Sequence, residues 1–444
     1  LKRLQLHHRI GLAMVLGLAL GLPLNLAATA GALDPGLVAE LVTGAREIGG
    51  LFLRLLQMLV VPLIVTSLVS AVGGMGSLRA LGRIGWRTLG WYLGTSLLAI
   101  LTGLLLVNLI NPGLGVDLAT VAAGAEPFKP SQEAADGGPL AVLWAQIVGM
   151  VPKNPLAAAA NGDILPLIFF SLLLGVFINA VEHGAEPADD DATRARGALL
   201  RRFFDALAEV FMRMTMWVIG LAPIGVFAFL FVTAAGSGLA AFEALGWYAL
   251  TVALGLAIHG GLTLPLLLLL VGKRSPRAWY AAVSPALVTA FSTASSNATL
   301  PLTMDCVVKR GGVSPRTGAF VLPLGATINM DGTALYEAVA VLFIAQLHGV
   351  ELGLGEQAIV AFTALLASIG AAGIPHAGTV MMVIVLAAVG LPTTAVGLIL
   401  AVDRVLDMGR TSVNVLSDTV VAAIVDAGEA SAPPEAAPAD EAAA

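Results

Sequence analysis

Ser292-Thr293-Ala294-Ser295-Ser296-Asn297 interrupts an otherwise apolar stretch, residues 278–308, and the fold turns on what that break means. A helix crossing ~30 Å of hydrocarbon needs about 20 apolar residues, and roughly 12–15 lie on either side of the break. At about 1.5 Å per residue each arm reaches roughly 18–22 Å, too short to cross. The segment therefore reads as a re-entrant hairpin that enters and leaves on one side of a membrane.

The composition requires that membrane. AVILMFWYC make up 58% of the 444 residues, with 50 glycines in addition, while charged residues fall to 12%. That is about half the usual charged fraction of ~25%, and mean hydropathy is +0.91. A soluble chain of this length could not bury so much apolar surface, so the chain reads as an all-α polytopic membrane protein. A net charge of −6 with scattered basic residues leaves no nucleic-acid patch. The single cysteine, Cys306, excludes disulfide frameworks and cysteine-based metal or redox sites. The first apolar run, from Ile10, meets no small-x-small cleavage site before the next, so no cleavable signal is expected.

Working outward, spans are predicted at 10–29, 46–72, 86–110, 161–181, 203–234, 244–271, 317–349 and 392–426, with 113–160 unresolved. Basic residues cluster before the first span (Lys2, Arg3, Arg9), after the second (Arg79, Arg83, Arg87), and between the fourth and fifth (Arg194, Arg196, Arg201, Arg202). Further groups follow the sixth (Lys273, Arg274, Arg277) and the hairpin (Lys309, Arg310, Arg316). These fall on one side, with Lys129 and Lys153 opposite, which makes the N-terminus cytoplasmic. A second hairpin, 357–390, enters from outside and breaks at Ser368-Ile369-Gly370-Ala371-Ala372-Gly373-Ile374-Pro375. Two interrupted segments of opposite orientation point to a transporter binding site. From Ala427 onward the Ala/Pro/Glu-rich chain reads as a disordered cytoplasmic tail, 428–444.

Polar groups inside the spans carry the function. Asp403, Asp407, Arg410, Asn414 and Asp418 share one face of the last span, with Arg404 beside them. A charge at the bilayer centre costs about 2.5–3.5 kcal/mol even on lenient scales. The stripe must face protein, water, ions or itself; structural ion pairs are the plain alternative to a binding role. In 317–349, Asn329 and Asp331 are two apart and would diverge on an intact helix. Unwinding there would let their oxygens and nearby carbonyls converge on a cation, and hard oxygen donors suit Na⁺ better than a transition metal. Glu337, one turn past Thr333 in an apolar stretch, is a candidate proton carrier. Tyr92, Thr95 and Ser96 share a face of the third span, a weak signal alone. His259 and Cys306 read as packing residues, Arg54 as internally paired, and His376 as a hairpin-tip surface residue.

Four motifs resemble the glutamate transporter family (dicarboxylate/amino acid:cation symporters): Ser295-Ser296-Asn297-Ala298-Thr299-Leu300-Pro301, Leu324 through Thr333, Ala367 through Pro375, and Asp407-Met408-Gly409-Arg410-Thr411-Ser412-Val413-Asn414-Val415. The resemblance implies a homotrimer of eight transmembrane helices and two hairpins per subunit. A transport part (mainly 86–110 and 244–427) would slide against a scaffold (mainly 10–72 and 113–234) in elevator-type alternating access. It implies that Arg410 pairs with a substrate carboxylate and Asp407 with its α-amino group. Asn414, Thr411, Thr333, Ser296 and the backbone near Ile374 and Gly378 would add hydrogen bonds. A guanidinium offers a planar two-point clamp for carboxylate. One Na⁺ would use Gly325, Asn329, Asn414 and Asp418. Another would use Thr327, Ser368, Ile369 and Ala371, and a third Tyr92, Thr95, Ser96, Asn329 and Asp331.

Two departures stand out. Archaeal members carry an arginine where this chain has Ala294, and eukaryotic members carry one where it has Met408. Arg404, a turn earlier, is the candidate substitute. Ala334-Leu335-Tyr336-Glu337-Ala338 resembles the eukaryotic proton-coupling segment. The expectation is uptake of L-glutamate or L-aspartate across the cell membrane, driven by Na⁺ with H⁺ as a second candidate ion, no organic cofactor, and both termini cytoplasmic. C4-dicarboxylates are the alternative, disfavoured because they leave Asp407 unpaired. Neutral amino acids are disfavoured because they leave Arg410 unpaired. A serine hydrolase using Ser296 and His376 lacks a nucleophile elbow, so the chain is not read as an enzyme.

Overall fold

The computed structural model describes residues 6–74, 78–114, 148–161, 164–183, 190–238, 240–370, 377–392 and 396–430. Every regular element among them is helical: α1 (Leu6–Thr29), α2 (Pro35–Gly73), α3 (Leu78–Ile110), α4 (Pro155–Asn161), α5 (Ile164–Glu182), α6 (Asp191–Ile219), α7 (Ala222–Ser237) and α8 (Ala240–Ile258). A π turn, His259–Thr263, joins α8 to α9 (Leu264–Leu270). The remainder are α10 (Pro276–Thr293), α11 (Ser296–Asp305, extended by a π turn to Arg310), α12 (Pro315–Ile328), α13 (Asp331–Leu347), α14 (Leu354–Gly370), α15 (Ala377–Ala388) and α16 (Val396–Ala430). Among the described residues, four helical stretches are long and apolar enough to cross a bilayer: His8–Thr29, Ile84–Ile110, Phe242–Leu270 and Pro315–Leu347. The pair α6 and α7 makes a fifth if its bend is counted as one span. This is a multi-pass helical membrane protein.

Prolines and a helix cap explain several of the places where the spans differ from the expected ones. The span at 203–234 is two helices bent by 45°. Pro223 lies in the first turn of α7; deeper in a continuous helix it would lack an N–H and clash with the carbonyl four residues earlier. The π turn at His259–Thr263 similarly accommodates Pro265. At the N-terminal side, α2 begins at Pro35 rather than 46, because Asp34 caps it by accepting from the Leu37 N–H. Its buried stripe runs through Phe52, Leu59 and Leu63, which leaves Arg54 exposed, with no ion-pair partner among the described residues, where internal pairing was expected. At the other end, α16 continues to Ala430, past the expected tail start at 428, with Glu429 paired to Arg87 at 3.2 Å. Residues 431–444 lie outside the described residues.

The first arm of the hairpin at 278–308 is 18 residues, longer than expected because it starts at Pro276 and continues through Ser292 and Thr293 of the expected break. It ends on Ala294 in the left-handed region (φ 51°). Ser295 then caps α11 by accepting from the Ala298 N–H at 3.2 Å. The two arms pack on each other. The 317–349 span does unwind: Asn329 (ψ 88°) and Met330 (ψ 55°) are non-helical and separate α12 from α13.

Packing is densest within two groups, which meet where α7 touches α16 and share one hydrophobic core. In one, α1 lies along α7, where a Cβ at Gly17 would come within 2.9 Å of Leu230 Cβ and one at Gly21 within 2.6 Å of Ala234 Cβ. Small residues four apart allow this close approach in a membrane. Helices α2, α5 and α6 complete that group. In the other, α13 is buried along nearly its whole length, surrounded by α3, α8, α14, α15 and α16. Tyr248 stacks on Phe343 at 4.7 Å in its core.

Candidate binding site

Helix α16 keeps Asp403, Asp407, Arg410, Asn414 and Asp418 on one face, and all five are buried. Arg410 Nη2 donates to Asp403 Oδ1 and Asp407 Oδ1, each at 2.9 Å. Its guanidinium carbon lies 3.7 Å from the centroid of the Tyr336 ring. Two carboxylates and an aromatic face thus hold a cation whose unpaired burial would cost several kcal/mol. Arg410 Nε and Nη1 have no hydrogen-bond acceptor among the described residues. Buried donors are ordinarily satisfied, so these two are open to an acceptor that the described residues do not supply. On the Nη1 side is Gly378 of α15, where a Cβ would come within 2.9 Å of Nη1.

Neighbouring helices fix this arrangement. Thr379 of α15 donates to Asp403 Oδ2 at 2.9 Å, and Arg404 Nη1 approaches Asp407 Oδ2 at 3.5 Å. Asn414 Oδ1 accepts from the Gly332 N–H at 2.7 Å, and its Nδ2 donates to Thr333 Oγ1 at 3.2 Å. A Cβ on Gly332 would lie 2.6 Å from the Arg410 carbonyl oxygen, so glycine permits α13 to meet α16 here.

A few residues away, the unwound Asn329-Met330 step gathers oxygen atoms. Asp331 Oδ1 accepts from Ser96 Oγ at 2.6 Å and Thr95 Oγ1 at 3.3 Å, and Asp331 Oδ2 meets His259 Nε2 at 3.0 Å. Asn329 Nδ2 donates to Asp418 Oδ1 at 2.9 Å and to Ser417 Oγ at 3.0 Å. At Gly325 a Cβ would strike the Asp418 carboxylate and the Tyr92 hydroxyl, so the missing side chain leaves room beside them. Two buried carboxylates, an amide and hydroxyls are donors suited to a hard monovalent cation.

Most residues named from sequence therefore meet in two adjoining clusters. Arg410, Asp407, Asn414, Thr333 and Gly378 form one; Asn329, Asp331, Asp418, Gly325, Thr95 and Ser96 form the other. Tyr92 borders the second, but its hydroxyl donates to the Val321 carbonyl at 2.6 Å. The Thr411 hydroxyl donates to the Asp407 carbonyl at 2.8 Å, within its own helix. Ser296 is buried at the start of α11, and Ser368 donates to the Leu365 carbonyl at 2.9 Å. Thr327 likewise bonds within its helix, to the Leu324 carbonyl at 3.0 Å, and Ile369 packs against buried apolar clusters that include Ala367 on one side and Ile328 on the other. Ala371, Ile374 and His376 lie outside the described residues.

His259 was expected to pack, and instead its ring engages Asp331; an ionisable group inside a span was the signal. Ser417, Thr379 and Tyr336 were not foreseen as site residues, and Asp403 was named only as part of the stripe. Glu337 follows Tyr336 on α13, fully buried, with neither carboxylate oxygen hydrogen-bonded among the described residues.

With this geometry, the comparison with known proteins is specific. The sodium:dicarboxylate symporter family matches residues 6–427. The chain belongs to that family. Among similar proteins, excitatory amino acid transporter 4 of Mus musculus is 38% identical over 445 residues, covering 85% of this chain and 76% of its own length. Excitatory amino acid transporter 1 of Ambystoma tigrinum is 37% identical over 430 residues, with the same two shares. Excitatory amino acid transporter 2 of Homo sapiens is 35% identical over 425 residues, covering 85% of this chain and 72% of its own. The family is one of transporters, and in this symporter both clusters lie within the matched region.

Proposed function

We propose that this symporter takes up acidic amino acids, L-glutamate or L-aspartate, driven by Na⁺. The observation that carries the reading is Arg410: fully buried, ion-paired to Asp403 and Asp407, with Nε and Nη1 unpartnered among the described residues. A substrate carboxylate completes that guanidinium, and Asp407 receives the α-ammonium, assisted by Asn414, Thr411, Thr333, Ser296 and the backbone near Ile374 and Gly378. Na⁺ enters as co-transported substrate. One ion is held by Gly325, Asn329, Asn414 and Asp418, and another by Tyr92, Thr95, Ser96, Asn329 and Asp331. A third uses carbonyls at Thr327, Ser368, Ile369 and Ala371. Glu337 is positioned to carry a proton because its buried carboxylate has no competing partner among the described residues.

The transport movement is elevator-like, in a homotrimer with eight spans, two re-entrant hairpins and cytoplasmic termini in the cell membrane. The closer packing of α1, α2 and α5–α7 among themselves than against the remaining helices supports a scaffold (10–72, 113–234) and a mobile part (86–110, 244–427). Counterflow in proteoliposomes tests the substrate reading. Labelled aspartate and glutamate exchange in Na⁺ and stop when choline replaces it; equal exchange in choline overturns the reading.

A further inference from the structure

A threonine inside a helix ordinarily turns its hydroxyl back onto its own backbone. Thr66, Thr88 and Thr251 do so, each donating to the carbonyl four residues earlier at 2.7–2.8 Å. Thr379, in the first turn of α15, instead donates across to Asp403 Oδ2 of α16 at 2.9 Å. Both side chains are buried, and a hydroxyl bond to a carboxylate is among the stronger hydrogen bonds away from water.

The place of this bond matters for Arg410. An arginine and a carboxylate favour a fork, with two N–H donors on two oxygens. Arg410 and Asp403 meet at one point instead: Nη2 donates to Asp403 Oδ1 at 2.9 Å and shares itself with Asp407 Oδ1. Arg410 Nε and Nη1 have no acceptor among the described residues. The Asp403 oxygen that would complete a fork, Oδ2, is the one Thr379 holds. Released from that bond, the carboxylate could turn about Cβ–Cγ and bring Oδ2 to the guanidinium, in competition with an incoming carboxylate. The same turn of α15 sets Gly378 beside Nη1, where the absent side chain leaves that nitrogen uncovered.

We propose that Thr379 is a positioning residue: its hydroxyl holds Asp403 in a one-point contact with Arg410 and so keeps the remaining guanidinium donors available to the substrate carboxylate. The inference rests on the proposed substrate reading and deepens it, because it names a group that sets affinity at the anchor without touching the substrate.

Two substitutions separate the hydroxyl from the methyl group. Thr379→Val keeps the volume and removes the hydroxyl; Thr379→Ser keeps the hydroxyl and removes the methyl. Initial rates of labelled L-aspartate uptake are measured for the full-length transporter in proteoliposomes at saturating Na⁺. In Thr379→Val, KM rises by roughly 10-fold, the worth of a lost hydrogen bond to a charged group, while Vmax stays within about twofold. In Thr379→Ser, KM stays within about twofold of the wild type. A residue that only packs α15 gives the reverse order, with valine near wild type and serine impaired. An unchanged KM in Thr379→Val, or a loss confined to its Vmax, overturns the proposal. Should the valine variant fail to fold, the serine variant still decides: a KM raised about fivefold or more there overturns the proposal by itself. Wild-type vesicles without any Na⁺-dependent aspartate uptake would refute the underlying substrate reading, an outcome distinct from an altered KM in the variants.

Discussion

Gly378→Ala puts the Arg410 anchor to a geometric test. A Cβ on Gly378 would lie 2.9 Å from Arg410 Nη1 and 3.0 Å from Thr333 Cγ2, where ordinary contacts begin at 3.4 Å. Arg410 cannot retreat freely: Asp403, Asp407 and the Tyr336 ring hold its other sides. The methyl therefore covers an unspent donor and pushes a pinned group. Overpacking of this kind costs about 1–3 kcal/mol. If most of it falls on the substrate-bound state, KM for aspartate rises by roughly 10-fold, with an upper limit near 100-fold. The assay is initial-rate uptake of labelled aspartate into proteoliposomes at saturating Na⁺, beside size-exclusion profiles that report folding. A normally folded Gly378→Ala with unchanged KM would refute the claim that Nη1 faces the substrate.

Three further outcomes follow from the same geometry. Arg410→Cys removes the buried cation, so competition by acidic substrates weakens by about 100-fold or more while neutral amino acids gain relative affinity; retained acidic selectivity contradicts the anchor. Asp331→Asn removes a charge from the oxygen cluster and raises the Na⁺ concentration for half-maximal uptake by about 10-fold; an unchanged Na⁺ dependence contradicts the cation assignment. Glu337→Gln keeps the shape of the side chain and removes its proton chemistry, so an imposed pH gradient ceases to drive accumulation while Na⁺-dependent exchange persists. Continued pH-driven accumulation contradicts the proton-carrier role.

Much of the site was legible because the bilayer makes polar residues costly. Asp403 through Asp418 stood out on a helical period, and Asn329 and Asp331, two apart, could converge on a cation only if the helix unwound, as the structure shows it does. What sequence concealed was three-dimensional pairing. Nothing local says that His259 reaches Asp331 across 72 positions, or that Thr379 of one helix meets Asp403 of another. The Tyr336 ring beneath Arg410 likewise depends on how α13 packs against α16. Helix limits were misjudged where hydropathy was the only guide. Caps such as Asp34 extend helices beyond the apolar stretch, and Pro223 divides a run whose apolarity is continuous.

In the proposed mechanism, Na⁺ and an acidic amino acid move together through the two adjoining clusters. The most direct test is concentrative uptake in proteoliposomes holding the full-length chain, with Na⁺ outside only, equal on both sides, or replaced by choline. Labelled aspartate should accumulate above its external concentration with the inward Na⁺ gradient and only equilibrate when Na⁺ is equal on both sides. Accumulation that is the same with and without the gradient would contradict the account.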